Sequence, residues 1–326
     1  MKILHVTNAY PTPVNPIYGV FIKEQIESIA KIPGMEVEIF FINGREKGKL
    51  EYLRCLLRLR KKMKDYDIVH CHHAFSAIAA LVMKQRRNKI IVSFLSNGVA
   101  ELISRGPVPF ATKLYRYVVR KSNARIFKFG IPPELKNDPK TFYIPNGVNM
   151  KLFSPSDKTE AKKQLGLDPH KRYLLFVSSN YLGRPEKRYD KFIETLEILK
   201  TKYKLAVLEP LTLINEKRER VPLFFNAASI HVLCSDIEGS PNSVKESLSC
   251  NTPVVTTNVG NVQDLLANVK GCYISTDGTP ADLASHCYKI LTENSAPNLR
   301  SRIEEMKLDL DSVAQRITSI YSINLE

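Results

Sequence analysis

The run EGSPNSVKE (238–246) sets two glutamates eight positions apart around Gly-Ser-Pro-Asn, directly after the apolar stretch ASIHVLC (228–234). It reads as a strand, a tight loop and the first turns of a helix. In an α/β protein the loop beyond a strand's carboxyl end is where ligands bind. A helix beginning near Ser240 and running to about Cys250 exposes unpaired amides carrying about half a positive charge, which suits phosphate oxygens. Gly239 lets the backbone approach a ligand closely, and Pro241 fits a first helical turn. Two turns into the helix, Glu246 can accept hydrogen bonds from sugar hydroxyls such as a ribose diol, while Glu238 faces the same space from the strand end. Spacing alone fits a plainer account equally well, with Glu238 stabilising a helix start and Glu246 facing solvent.

Two further constellations carry chemistry. In HCHH (70–73) the strand period puts His70 and His72 on one face, whereas adjacent His72 and His73 point apart. No carboxylate or cysteine pattern completes a ligand set, so the expectation is no metal, with His72 or His73 at a polar strand end as an acceptor contact. In REKGKLEYLRCLLRLRKKMKDYD (45–67), Leu50, Leu53, Leu56, Leu57 and Leu59 mix with Arg54, Arg58, Arg60, Lys61, Lys62 and Lys64. Such a basic amphipathic helix suits an anionic membrane surface, each basic residue contributing about 1 kcal/mol near the headgroups. A solvated helix covering a sheet is the other account. KLYRYVVRKSNAR (113–125) adds positive charge with interleaved tyrosines.

Holding these residues in place requires a repeating scaffold. Strand-like runs alternate with helix-like ones from end to end: KILHVT (2–7), MEVEIFFIN (35–43), DIVHCHH (67–73), KIIVSFL (89–95), ARIFKF (124–129) and TFYIP (141–145). After the turn signal IPNGV (144–148) a second series follows: RYLLFVSS (172–179), KLAVLEPL (204–211), SIHVLC (229–234), TPVVTT (252–257) and GCYIS (271–275). The pattern predicts two parallel, doubly wound Rossmann-like sheets facing across a cleft, with ligand loops beyond the strand ends. Domains are expected at 1–147 and 148–310, and the amphipathic 311–326 as a terminal helix packing near the junction.

At 326 residues, 44% hydrophobic and 25% charged, the chain is an ordinary globular one with room for two cores. The net charge of +15 is uneven: residues 1–150 hold 25 Lys and Arg against 11 Asp and Glu, and the remainder 23 against 22. The first half therefore points to an anionic partner surface. Neither a secretory signal nor a run long enough to span a bilayer is visible. The six cysteines form no C-x-x-C pair and read as reduced, which suits a cytoplasmic chain.

With these elements in place, FNAASIHVLCSDIEGSPNSVKESLSCNTPVVTTNVGNVQDLL (225–266) closely resembles the donor-site region of retaining glycosyltransferases of family 4, which have the GT-B fold. The acidic pair matches their E-x7-E motif at Glu238 and Glu246. DIVHCHHAFSAIAA (67–80), FYIPNGVNMKLFSP (142–155) and YPTPVNPIYGVFIKEQ (10–25) resemble the family's mid-domain strand and helix, interdomain segment and first loop. The resemblance spans most of the chain, in order. It implies transfer of a sugar from a nucleotide-sugar with retained anomeric configuration, 1–147 being the acceptor side and 148–310 the donor side. Glu246 takes the ribose role; Glu238, Gly239, Ser240, Pro241 and Asn242 hold the donor sugar and phosphates. Lys187 matches the family's diphosphate lysine, and Arg184, with Arg188 as competitor, its arginine. Gly19 permits close approach of the first loop to the phosphates. No cofactor and no catalytic metal are implied.

Two stretches depart from the family. Where many members carry a histidine, this chain reads LSNG (95–98), leaving Asn97 or a backbone group as the substitute. VLEPLTLINEKRER (207–220) lacks the Gly-rich turn of the region that helps hold the nucleobase. The resulting expectation is a glycosyltransferase acting on a glycan or lipid-linked acceptor in cell-surface polysaccharide synthesis, peripheral to the inner membrane face and independent of nucleic acid. A nucleotide-sugar epimerase or phosphorylase on the same scaffold, or a non-catalytic basic module binding an anionic surface, are the alternatives.

Overall fold

The computed structural model describes residues 1–48, 50–95, 108–178, 184–293 and 298–325. It divides into two compact units, Met1–Gly147 together with Leu310–Glu326, and Val148–Asp309. In the first unit β1 (Lys2–Thr7), β2 (Glu36–Phe41), β3 (Ile68–His72), β4 (Lys89–Phe94), β5 (Ala124–Phe127) and β6 (Thr141–Tyr143) form one parallel sheet in the order β2-β1-β3-β4-β5-β6. Every residue of β3 is buried, as a strand covered on both faces requires.

Strand alternation divides this sheet into two unlike faces. Leu4, Val6, Val69, Cys71, Val92 and Phe94 join one apolar core with residues of the helices Glu51–Met63, Ala74–Val82 and Val108–Lys121. The opposite face carries His5, His70, His72 and Ser93, aligned across β1, β3 and β4 by the register His5↔His70 and His72↔Ser93. The helix Val20–Ala30 (α1) packs against the helix Leu310–Ile323. Tyr321 of the latter reaches His70 on this second face.

The second unit holds β7 (Arg172–Ser178), β8 (Leu208–Ile214), β9 (Ile230–Leu233), β10 (Val254–Thr256) and β11 (Tyr273–Ile274), parallel in the order β11-β10-β9-β7-β8. One core packs Phe176 and Val232 of the sheet against Phe192 and Leu196 of the helix Tyr189–Thr201 and Leu283 of the helix Pro280–Thr292. The chain runs from β7 out to β8 on one side, then to β9 and β10 on the other, so strand order reverses between β7 and β9. A crevice beyond the carboxyl ends at such a reversal is the usual ligand position.

The strand expected at 204–211 lies further on, at Leu208–Ile214. Lys204 adopts a left-handed conformation (φ 58°) and turns the chain out of the preceding helix, so the earlier residues are spent on the turn. Pro210 is tolerated inside the strand because β8 is the sheet edge, where a missing N–H breaks no ladder on its open side.

Candidate functional site

At the strand-order reversal of the second unit, two loops meet. The segment following β9 is tied to the one following β7 by the Asp236 amide donating to the Glu186 carbonyl at 2.9 Å. Lys187 Nζ then donates to Glu238 Oε1 at 2.5 Å, and Ser235 Oγ donates to the same oxygen at 2.7 Å. Both charged side chains are mostly buried, 17% and 16% exposed, so their attraction is little screened by water. Two sequence-expected residues 51 positions apart are thus in direct contact.

Beyond Glu238 the chain enters the helix Asn242–Ser249, with Pro241 at its N-cap, no side chain capping its first turn and no acid in that turn. Its free amides are therefore offset by no carboxylate of its own first turn. Asn242 Oδ1 is buried at this helix start without a partner among the described residues. Gly239 is clamped from the far side: its carbonyl accepts the Asn261 amide at 3.1 Å, and a Cβ on Gly260 (φ 57°) would meet that same oxygen at 2.1 Å. Behind the helix start, His231 joins the Leu175 carbonyl at 3.2 Å and Ser243 Oγ at 3.1 Å. Burial holds its imidazole neutral, pushing it down to about 4.

Glu246, 7% exposed, accepts from Arg218 at 2.6 Å, and the Arg218 guanidinium lies 4.6 Å from the centre of the Phe153 ring. Arg218 was not among the expected site residues. It sits in the NEKRER run, where one functional guanidinium among several surface charges carries no distinguishing signal. Ser235 and His231 were missed too, one a loop serine and the other a histidine inside an apolar strand.

Arg184 is turned onto its near neighbour Glu186, with nitrogens at 2.7 and 2.5 Å from one carboxylate oxygen. Arg188 bridges Asp190 and Asp236 instead, at 2.8 and 3.2 Å. Of the three basic residues expected near the diphosphate, Lys187 contacts the E-x7-E segment, whereas Arg184 pairs with Glu186 and Arg188 with Asp190 and Asp236.

In the first unit the expected acceptor-side residues separate. His72 does not line a polar strand end: it is 1% exposed, with Nε2 against His5 Nδ1 at 2.9 Å. Sheet alternation turns it inward under α1 and the Leu310–Ile323 helix rather than outward. His70 is occupied on both ring nitrogens, by Tyr321 OH at 2.6 Å and Ser93 Oγ at 2.8 Å. The three rings of His5, His70 and His72 bring nitrogens within 4.8 Å of one another, a grouping not foreseen because His5 is remote in sequence. The buried Lys128 ammonium, 3.0 Å from Gln25 Oε1, adds positive charge beside them, which disfavours a bound cation. Burial keeps all three imidazoles neutral, His5 down to about 3.

His73 sits at φ 91° and caps the helix Ala74–Val82 by accepting the Phe75 amide at 3.1 Å. Gly19, at φ 74°, begins α1, and a Cβ there would come within 2.4 Å of the Ala9 carbonyl oxygen. Its lack of a side chain is thus demanded by the protein's own backbone. Asn97 lies outside the described residues.

The two parallel sheets and this crevice define a class. Over residues 194–293 the chain matches the family model of glycosyl transferases group 1. It is 23% identical to TuaC of Bacillus subtilis (strain 168), named for teichuronic acid biosynthesis, over 81% of this chain and 83% of that protein. It is 27% identical to an Escherichia coli UDP-Gal:alpha-D-GlcNAc-diphosphoundecaprenol alpha-1,3-galactosyltransferase, over 67% of this chain and 64% of that one. The fold is also that of Anabaena Alr3699/HepE in complex with UDP, with a TM-score of 0.71 at 15% identity over 99% of this chain and 100% of the other. The protein is a glycosyltransferase of the GT-B fold. The group 1 model covers residues 194–293, and the names of the relatives fit family 4.

Proposed function

We propose that this chain is a retaining glycosyltransferase that moves a sugar from a nucleotide-sugar to a glycan or lipid-linked acceptor in cell-surface polysaccharide synthesis. The carrying observation is the contact of Lys187 with Glu238 at an uncapped helix start that leads to buried Glu246. Glu246 takes the ribose hydroxyls; Glu238, Gly239, Ser240, Pro241 and Asn242 hold the donor sugar and phosphates. As the nucleoside diphosphate departs, negative charge gathers on its phosphate oxygens. Lys187 and the helix amides are fixed in advance to receive it, and one such group is worth about 3–4 kcal/mol of barrier. Arg184 joins them by exchanging Glu186 for phosphate. In this reading protein groups carry the leaving-group charge without a catalytic metal, Gly19 lets the first loop approach the phosphates, and His73 and Asn97 belong to the acceptor side. The names of the relatives support a nucleotide-sugar donor and a polysaccharide or diphosphoundecaprenol-linked acceptor.

The membrane part of the proposal rests on the helix Glu51–Met63. It buries Glu51, Cys55, Leu59 and Met63 against its own unit, yet Leu50, Leu53 and Leu57 stand 60%, 67% and 78% exposed beside exposed Arg54, Arg60 and Lys61. A second apolar stripe rimmed by cations fits an anionic bilayer surface. Among the described residues no helix is long and apolar enough to cross one.

The test is calorimetric titration of UDP, GDP and ADP into the chain and into Glu246→Ala. One nucleotide should bind the parent protein, and the variant should weaken it at least tenfold. Equal affinity in both would remove Glu246 from the site.

A further inference from the structure

We infer that Lys245 is a positioning residue for the phosphate-facing loop, holding the Ser240 hydroxyl so that its proton is offered to an incoming anion. The inference rests on the donor-site reading above and adds to it a residue that never touches the ligand. Lys245 has no exposed surface, and its Nζ lies 3.0 Å from Ser240 Oγ. An ammonium has three protons and no acceptor. While charged, Lys245 must be the donor in that pair, so the Ser240 proton points elsewhere. A neutral amine can accept instead, and the hydroxyl is then free to turn inward, away from the ligand.

Burying an ammonium without gain is costly, and an apolar side chain of similar length would fill the space more cheaply. The return is placement: the charge stands directly behind a helix start with no side-chain cap and no acid in its first turn. Glu246, on the helix itself, favours the ammonium. His231 on β9 is held neutral by burial, and Arg300 of the helix Arg300–Glu305 is occupied at the Ser249 carbonyl, with Glu304 paired to it. The helix Val221–Ala227 and β10 bring no titratable side chain. Burial lowers Lys245 to about 7, so both protonation states lie within reach of ordinary buffers. The ammonium dominates below that value, and an anion binding in front of Ser240 favours it further.

The experiment titrates UDP, GDP and ADP into the full chain and into Lys245→Met, Ser240→Ala and the double variant, at pH 6 and pH 9. For the nucleotide that binds, Lys245→Met should raise Kd about tenfold at pH 6 and less than about twofold at pH 9, where the parent lysine is itself neutral. Titration of the nucleotide's own phosphate cancels in the variant-to-parent ratio. Ser240→Ala should reproduce the loss, and the double variant should lose no more than either alone. An unchanged Kd at pH 6, a ratio that ignores pH, or additive losses would each overturn the inference. Should Lys245→Met fail to fold, Ser240→Ala alone decides, since it must flatten the pH dependence by itself. If none of the three nucleotides binds the parent chain, the donor-site reading falls, and this inference with it.

Discussion

The polar layer under α1 makes the first unit acid-sensitive by a calculable amount. His5, His70 and His72 are buried and neutral, each depressed below the ordinary 6.5 by loss of solvation, and the latter two further by neighbouring positive charge. Above pH 6.5 neither the folded nor the unfolded chain protonates them, so their neutral burial costs nothing there. Below it the unfolded chain takes up protons that the folded unit refuses, and stability falls as pH drops toward the folded value, about 3 for His5. Each histidine then loses about 1.4 kcal/mol per pH unit, so three lose about 4 kcal/mol between pH 7.5 and 5.5. That is a large share of the ~5–15 kcal/mol that holds a typical domain. In the second unit His231 is in this condition, with about 1.4 kcal/mol at stake over the same interval. Hydrogen exchange read by mass spectrometry, corrected for the intrinsic rate, separates the units. Peptides covering β1 and β3 should lose far more protection than those covering β9. Replacing His5 with Phe should remove about a third of the first unit's pH sensitivity. Equal losses in β1, β3 and β9 would refute the reasoning.

Lys187→Ala should cut turnover by about 10²–10³ while lowering stability by only about 1–3 kcal/mol, the cost of leaving mostly buried Glu238 with Ser235 alone; normal turnover with any nucleotide-sugar would take Lys187 out of the site. On the membrane side, Leu53→Ser with Leu57→Ser should abolish partitioning to vesicles containing anionic lipid, and Arg54→Ser with Lys61→Ser should weaken it in a salt-dependent way. Arg58 and Lys62 are poorer targets because they pair with Glu51 and Glu38. Unchanged vesicle binding in the leucine variant would leave that helix an ordinary solvated one.

Periodicity carried most of the fold: ten of the eleven strands fall within a few residues of where apolar runs and turn signals put them. β8 is the exception, because the turn at Lys204 uses up the residues before it and moves the strand on to Leu208–Ile214. The Glu238–Lys187 contact could be anticipated because both residues belong to a recognisable pattern. Arg218 could not, since nothing in a run of charges tells which one a fold will press against a carboxylate. His72, expected at a polar strand end as an acceptor contact, is buried for a related reason: HCHH looks polar, and only the folded sheet brings His5 against it and Ser93 beside it.

The helix Leu310–Ile323 returns to the first unit, where Tyr321 meets His70. A ribosome therefore delivers all six strands of that unit early and its closing helix late. All of Val148–Asp309 is made in between, on the order of ten to thirty seconds of translation. Through that wait His70 has no Tyr321 hydroxyl to meet. Excising the N-terminal portion for separate expression would leave His70 without that partner for good.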